Sequence, residues 1–275
     1  MGLKENLRKI FRNHKIDVVM HFAGFIEVGE SMLNPRIFHE NNIVNSLNLL
    51  EVMLEFGVKK IIYSSSASIF GIPRDIPVSE DARKNPVSVY GMTKLMVENI
   101  LKDYDVAYEI KSICLRYFNA SGAGYDIGED HNPETHLIPL VLQVALGKRE
   151  NIKIFGIDYP TRDGTGIRDY VHVLDLARAH LLALQKLLKE NKSERYNLGS
   201  GKGYSVREII ETAKKVTGKE ISLIETDRRC GDPPFLIADS LKIKRELKWF
   251  PKFSLYEIIE SAWKWHKNNP EGFKS

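Results

Sequence analysis

Cysteine is almost missing from this chain of 275 residues: there are two, Cys114 and Cys230, far apart and in no C-x-x-C or Cys/His metal spacing. That excludes a disulfide scaffold and leaves two reduced thiols of a cytoplasmic protein as the expectation. No run of about 18 apolar residues occurs, so no membrane-spanning helix is expected. The first residues, MGLKENLRKIFRNHKI, are charged and lack the apolar stretch of a signal peptide. Gly2 follows Met1, but Asn6 stands where a myristoylation signal wants Ser or Thr. A strong charge of one sign is missing too. Lys plus Arg number 40 and Asp plus Glu 36, a net +4, too slight to indicate nucleic acid or an acidic membrane as partner. The 8 histidines form no H-E-x-x-H or similar group, so no metal is expected. Internal repeats and low-complexity tracts are also lacking.

What is present is an ordinary globular composition, 43% hydrophobic and 28% charged. The length suits one large domain or two coupled ones and can bury a sizeable core unaided. Leu3, Leu7, Ile10 and Phe11 fall on one helical face of Leu3–Asn13. Asp17–Phe22 is a short apolar run, expected to be a strand buried on both faces. Pro35–Phe56 reads as a long helix with Ile43, Leu47, Leu50 and Leu54 inward, closed by Gly57. Lys60–Tyr63 is the next strand, followed by Ser64, Ser65 and Ser66. A loop over Gly71–Pro86, a helix over Ser88–Tyr104 and a strand over Lys111–Arg116 continue the rhythm. Strand and helix alternating in this way indicate an α/β fold with a doubly wound parallel sheet.

Beyond about residue 120 the texture changes. A glycine-rich, charged loop over Gly122–Pro133 leads to a helix (Leu137–Leu146), a strand (Ile152–Phe155), a turn-rich stretch (Gly156–Gly166) and a strand (Arg168–Val173). Helices over Leu174–Glu190, Ser205–Thr217, Ser240–Glu246 and Leu255–Lys267 complete the chain. No linker separates the halves by composition, so residues 119–275 are expected to form a second, smaller α/β domain interleaved with a first over residues 1–118.

Tyr90-Gly-Met-Thr-Lys94 opens a helix and stacks a phenol over an ammonium at i and i+4. A phenol with its ordinary pKa near 10 is a poor base at neutral pH. A neighbouring ammonium stabilises the phenolate, so the pair can move a proton on a sugar or alcohol hydroxyl. Taken alone such a pair is more often a solvated helix face. It follows a strand ending in Ser64–Ser66, however, and ligands of parallel sheets sit at the carboxyl ends of strands. The serines alone could equally be a turn satisfying its own backbone. His21-Phe-Ala-Gly24 adds a glycine at another strand end, either a close approach to a ligand or a plain turn. Gly199-Ser-Gly-Lys-Gly203 lacks the phosphate-loop spacing and reads as a tight turn feeding a helix cap at Ser205.

HFAGFIEVGES, SSSASIFG, SVYGMTKLMVE, LRYFNASGA, GTGIRDYVHVLDLARAH and YNLGSGKGYSV occur in this order. Together they make the chain, from about Leu3 onward, resemble the UDP-glucose 4-epimerases of the extended short-chain dehydrogenase/reductase family. The resemblance implies a Rossmann-like NAD-binding domain and UDP-sugar 4-epimerisation through a 4-keto intermediate. It implies that Tyr90 takes the proton of the sugar 4-hydroxyl, that Lys94 lowers the phenol pKa and binds the nicotinamide ribose, and that Ser66 bonds the same sugar oxygen. Phe22, Ala23, Gly24, Asn41 and Phe118 would line the cofactor. Asn119, His136, Leu137, Lys153, Phe155, Arg168, Arg229 and Asp232 would hold the UDP part, arginines suiting a diphosphate as forked, permanent cations. Read without the resemblance, Arg168 beside Asp169 could be a structural ion pair, Arg228-Arg229 a solvated run and His136 a surface histidine. The resemblance further implies a homodimer that pairs the Pro35–Phe56 and Ser88–Tyr104 helices.

The chain departs from the family in places. The G-x-x-G-x-x-G turn that brings a helix N-terminus to the pyrophosphate is absent, and with it the first strands of the family sheet. This leaves NAD binding to be tested, makes Asp17–Phe22 an expected bare edge strand, and suggests an incomplete reading frame or a misassigned start. Ile26 replaces a lysine near the NAD phosphates. Leu236 replaces a bulky tyrosine beside the sugar, which would leave room for an N-acetyl group. UDP-GlcNAc 4-epimerase, or a UDP-sugar-binding fragment impaired in catalysis, are the alternatives. A dehydratase is disfavoured because Ser66-Ala-Ser-Ile-Phe70 lacks the acidic pair needed to expel water.

Overall fold

A computed structural model describes residues 4–229 and 231–273; Gly2, Leu3 and Cys230 lie outside the described residues. In chain order the elements are α1 (Lys4–Asn13), β1 (Val19–His21), α2 (Val28–Leu33), α3 (Pro35–Phe38), a π-helical turn (His39–Val44), α4 (Asn45–Glu55), β2 (Lys60–Ser66), a 3-10 turn (Ala67–Phe70), α5 (Val89–Tyr108), β3 (Lys111–Tyr117), β4 (Asn119–Ser121), α6 (Leu137–Ala145), β5 (Ile152–Phe155), β6 (Ile167–His172), α7 (Val173–Glu190), β7 (Glu194–Leu198), β8 (Gly203–Ser205), α8 (Val206–Thr217), β9 (Leu223–Thr226), β10 (Phe235–Leu236), α9 (Leu241–Leu247) and α10 (Leu255–Asn268). The chain divides into two compact units. One comprises Met1–Ile72, Glu80–Tyr117 and His180–Asn197, the other Pro73–Ser79, Phe118–Ala179 and Leu198–Ser275.

The first unit is built on a four-stranded sheet in the order β1-β2-β3-β7. β1, β2 and β3 run parallel, with His21 opposite Tyr63 and Ser65 opposite Arg116. Its core joins Leu7 and Phe11 of α1, Leu49, Leu50 and Met53 of α4, Ile61 and Tyr63 of β2, and Val97 and Leu101 of α5. Each such side chain removed from water contributes about 2 kcal/mol. Burial in β2 is continuous from Ile61 through Ser66, as in a strand covered on both faces. The serines therefore belong to the strand and are not a separate turn. β1 is shorter than expected and ends the sheet; Val19 and Met20 are only half-buried there, while His21 is buried.

The stretch expected as one helix from Pro35 to Phe56 contains the π turn His39–Val44. Its wider turn shifts the helical phase. Leu49, Leu50, Val52 and Met53 therefore point inward, whereas Ile43, Leu47 and Leu54 of the expected stripe are half-buried. In α1 the stripe is likewise narrower, with Ile10 50% exposed.

In the second unit β10, β6 and β4 form one sheet, with β8 pairing antiparallel to β6, and β5 pairs parallel with β9. Helices α6, α8 and α10 supply Ile138, Val141, Ile209, Ile210, Ile258 and Ile259 to its core. Ser205 caps α8 as expected, in a capping box with Glu208, and Ser254 caps α10 in the same way with Glu257. The short strands β4, β7, β8, β9 and β10 and the helix α2 carry no separate signal in the sequence. Among the described residues no helix is long and apolar enough to cross a membrane.

Candidate active site

Tyr90 owes its place to the start of α5. Ser88 is the N-cap, its Oγ accepting from the Gly91 N–H at 3.1 Å, which puts Tyr90 in the first turn and Lys94 one turn on. A Cβ on Gly91 would lie 2.5 Å from the carbonyl oxygen of Ser68, so only glycine lets this helix meet the turn that follows β2. The Tyr90 N–H donates to Ser31 Oγ at 3.1 Å, and the Ser66 hydroxyl lies near enough to its phenol to work against the rise in its pKa. Ser66 in turn caps the 3-10 turn, accepting from the Ser68 N–H at 3.1 Å. The structure thus brings Ser66, Tyr90 and Lys94 together.

The electrostatics differ from expectation in one respect. Lys94 was expected to lower the Tyr90 pKa; instead burial raises it, Glu27 adds to the rise, and the Ser66 hydrogen bond opposes it. The Lys94 ammonium sits 5.8 Å from the centre of the Tyr90 ring and 5.1 Å from that of Tyr63. It is itself 4% exposed, donates to the Ser64 carbonyl oxygen at 2.9 Å, and burial pulls its pKa down to about 8.

The turn after β1 approaches the same ammonium. A Cβ on Gly24 would lie 3.5 Å from Lys94 Nζ and 3.2 Å from Asn42 Oδ1. Beside Asn41, which sequence reasoning named for the cofactor, Asn42 is a buried brace that it did not name. Its Oδ1 accepts from the Phe25 N–H at 2.8 Å, and its Nδ2 donates to the Phe25 carbonyl at 3.0 Å and to Thr93 Oγ1 at 3.1 Å. Asn41 donates to Asn42 Oδ1 at 3.1 Å. Phe22, 56% exposed, lies against His180 with ring centres 4.8 Å apart. His180 meets Tyr117 Oη at 2.6 Å and Tyr117 meets Ser64 Oγ at 2.8 Å, a buried polar chain that sequence reasoning missed.

Most of the remaining expected residues lie in the second unit. The Phe118 N–H donates to the Leu198 carbonyl at 3.1 Å, and Asn119 Nδ2 to the Asp169 carbonyl at 2.9 Å. Asp169 does not pair with its neighbour Arg168; its buried carboxylate accepts from the N–H groups of Ser200, Gly201 and Ala238 and fixes the Gly199–Gly203 turn. Arg168 donates to the carbonyls of Ile167 and Pro233 at 3.0 and 2.8 Å, faces Asp232 at 3.6 Å, and is register partner of Leu236. The Arg229 guanidinium lies 3.7 Å from the centre of the Phe155 ring. Arg228 covers Tyr159 at 4.3 Å and bonds Asp158 at 2.7 Å, so both arginines, though exposed, are held by neighbouring side chains. Lys153 is exposed on β5 between buried Ile152 and Ile154. His136, before Leu137 at the start of α6, faces Glu129 at 2.7 Å and Glu134 at 2.9 Å, and these carboxylates raise its pKa to about 10.

Residues 3–199 match the NAD dependent epimerase/dehydratase family. The UDP-glucose 4-epimerase of Lacticaseibacillus casei is 50% identical over 270 residues, 97% of this chain and 82% of that protein. A crystal structure of a UDP-glucose 4-epimerase superposes with a TM-score of 0.97 at 47% identity, over all of this chain and 84% of the other. That of the Bifidobacterium longum enzyme in complex with NAD+ and UDP superposes with a TM-score of 0.94 at 38% identity, over 99% of this chain and 82% of the other. The α/β fold with its parallel sheet is therefore the Rossmann-like fold of these enzymes, and the chain belongs to the NAD dependent epimerase/dehydratase family.

Proposed function

We propose that this protein is a UDP-glucose 4-epimerase that interconverts UDP-glucose and UDP-galactose with NAD. The observation that carries the reading is the buried cluster of Ser66, Tyr90 and Lys94 at the carboxyl end of β2. The residues around it suit the cofactor. Phe22 is an exposed aromatic face, Ala23 and Gly24 keep backbone free of bulk, and Lys94 is a buried cation whose remaining N–H groups suit ribose hydroxyls. NAD, when bound, supplies the acceptor and donor of hydride at C4 of the sugar.

The chain's own residues do the rest. Tyr90 Oη accepts the proton of the 4-hydroxyl; a phenolate that burial makes costly is a strong base once formed, and the Ser66 hydroxyl stabilises it. Ser66 also holds the sugar oxygen in reach of Tyr90. When the 4-keto sugar has presented its other face, the same phenol returns the proton. Arg168, Arg229 and Lys153 offer charge to the diphosphate, with Asn119, His136, Leu137, Phe155, Asp232 and Leu236 shaping the rest of the UDP-sugar site. In this reading residues 1–118 serve mainly the cofactor and 119–275 mainly the UDP-sugar. A cytoplasmic homodimer paired through the Pro35–Phe56 and Ser88–Tyr104 stretches completes it, supported by Val44, Met92 and Met96, which stand exposed within them.

Purified protein incubated with UDP-glucose is expected to form UDP-galactose, and denaturation is expected to release NAD, read by absorbance. Turnover of neither UDP-glucose nor UDP-galactose in protein that carries NAD would overturn the reading. Light scattering at the mass of one chain would remove the dimer.

A further inference from the structure

A buried ion pair lies beside this cluster. Glu98 follows Lys94 by one helical turn and Tyr90 by two, on the same face of α5, and is 2% exposed. Its carboxylate accepts from Ser65 Oγ at 2.5 Å and from Arg116 Nε and Nη2 at 2.9 and 2.7 Å, and Arg195 Nε stands 3.4 Å away. Ser65 and Arg116 are register partners on β2 and β3. Arg116, 1% exposed, also donates to the Glu80 carbonyl at 3.1 Å and lies 5.4 Å from the centre of the Phe70 ring. Phe70 closes the turn that Ser66 caps.

So deep a pair is a poor device for stability alone, because desolvation offsets most of the attraction and apolar residues would pack as well. A forked, bidentate contact supplies direction instead. Apolar contacts between α5 and the sheet are non-directional and leave the helix free to settle at slightly different heights. Glu98 removes that freedom. It ties α5 to Ser65, the residue between the Ser64 carbonyl that Lys94 holds and the Ser66 hydroxyl that meets Tyr90. Arg116 ties the same carboxylate to β3 and to the segment around Ser66.

We propose that Glu98 and Arg116 are positioning residues for the epimerisation, their buried pair setting the height of α5 on β2 and so holding the Tyr90 phenol against Ser66. The inference rests on the reading above, in which Tyr90 and Ser66 act on the sugar hydroxyl.

The test uses the full chain as S65A and E98Q. S65A removes one tie and leaves no buried charge unpaired; E98Q keeps the shape and takes the charge from Arg116. Since a misplacement of about 1 Å costs roughly a hundredfold in rate, kcat for UDP-glucose should fall about tenfold in S65A and about a hundredfold in E98Q, with KM within about twofold. A second readout needs no turnover. In protein labelled with 13Cζ-tyrosine at pH 8, the Tyr90 resonance, assigned by its loss in Y90F, should move in both variants as the Ser66 bond weakens. Unchanged kcat together with an unmoved Tyr90 resonance in S65A overturns the proposal, as does a rise in KM at constant kcat. If E98Q does not fold, S65A decides alone. If the unmutated protein fails to turn over UDP-glucose, the functional reading falls, and the resonance still decides whether Glu98 sets the Tyr90–Ser66 contact.

Discussion

Lys94 Nζ donates to the backbone carbonyl of Ser64 at 2.9 Å, and this contact ties the helix that carries Tyr90 to the strand that carries Ser66. The contact is bought with desolvation, which pulls the lysine from its ordinary 10.5 to about 8. Between those values the unfolded chain holds the proton that the folded protein releases, so this group's contribution to stability rises with pH from about 8 to 10.5 and is least favourable below 8. The cost at pH 7 is about 3 kcal/mol, against about 1 kcal/mol returned by one hydrogen bond. K94M is therefore expected to melt at a higher temperature than the unmutated protein at pH 7 while losing turnover by a hundredfold or more, about the range of a proton-transfer and positioning group. Calorimetry and a UDP-glucose turnover assay check both; a lower melting temperature would show that the hydrogen bond outweighs the burial.

Removing the phenol oxygen should act on the chemical step. Y90F keeps the ring that fills this buried place, so folding and UDP binding should stay close to normal. Turnover should drop by about 10²–10⁴, the span expected for a general acid–base group. S66A should cost less, about tenfold, since it removes a stabilising bond and leaves the base. Steady-state kinetics with calorimetric UDP titration separates the two effects, and a Y90F protein with turnover within about threefold of normal would remove Tyr90 from its assigned role.

The pattern of elements was legible because buried strands and amphipathic helices differ in apolar period, and that period survives without knowledge of neighbours. The nearness of Ser66, Tyr90 and Lys94 was legible too, since Tyr90 and Lys94 are four residues apart and Ser66 closes the segment that begins as an apolar run. What was not legible depends on phase and on partners distant in sequence. The π turn over His39–Val44 shifts the helical phase, and the buried Asn42 that braces Phe25 lies within it, a placement the apolar spacing does not show. The sign of the Tyr90 shift was missed because spacing shows the ammonium but not the burial. Glu98 did carry a signal, an acid one turn past Lys94 on the inward face, but its partner Arg116 sits in a strand whose register no local pattern reveals.

His21 makes the fold sensitive to acid. Its ring is buried against Ser46 Oγ at 2.9 Å, and burial first, then the Lys94 charge, depress its pKa to about 4. The unfolded chain binds the proton near 6.5 and the folded protein does not, so stability is complete above 6.5 and falls as pH drops toward 4. The loss attributable to this one side chain is about 3 kcal/mol at the acid end of that window. Urea midpoints measured from pH 7 to 4 should fall for the unmutated protein and fall less steeply for H21Q, which keeps a neutral polar group facing Ser46. Parallel slopes for the two proteins would assign the acid sensitivity to other groups.

Arg228 and Arg229 are adjacent in sequence and differ in what answers their charge. Arg228 is bonded to Asp158 at 2.7 Å and covers Tyr159, so its cation is spoken for within the protein. Arg229 lies on Phe155 at 3.7 Å, an aromatic face that holds the guanidinium in place without neutralising it. A diphosphate gains most from a forked cation already held in position and still carrying its charge. R229A is therefore expected to weaken UDP binding about tenfold, with a shallower dependence on salt because one screened contact is gone, whereas R228A should stay within about twofold. Calorimetric titration of UDP at low and moderate salt distinguishes them. Equal losses from the two substitutions would mean that the site responds to the total positive charge and not to the placement of Arg229, and the assignment of that residue to the UDP-sugar would fall.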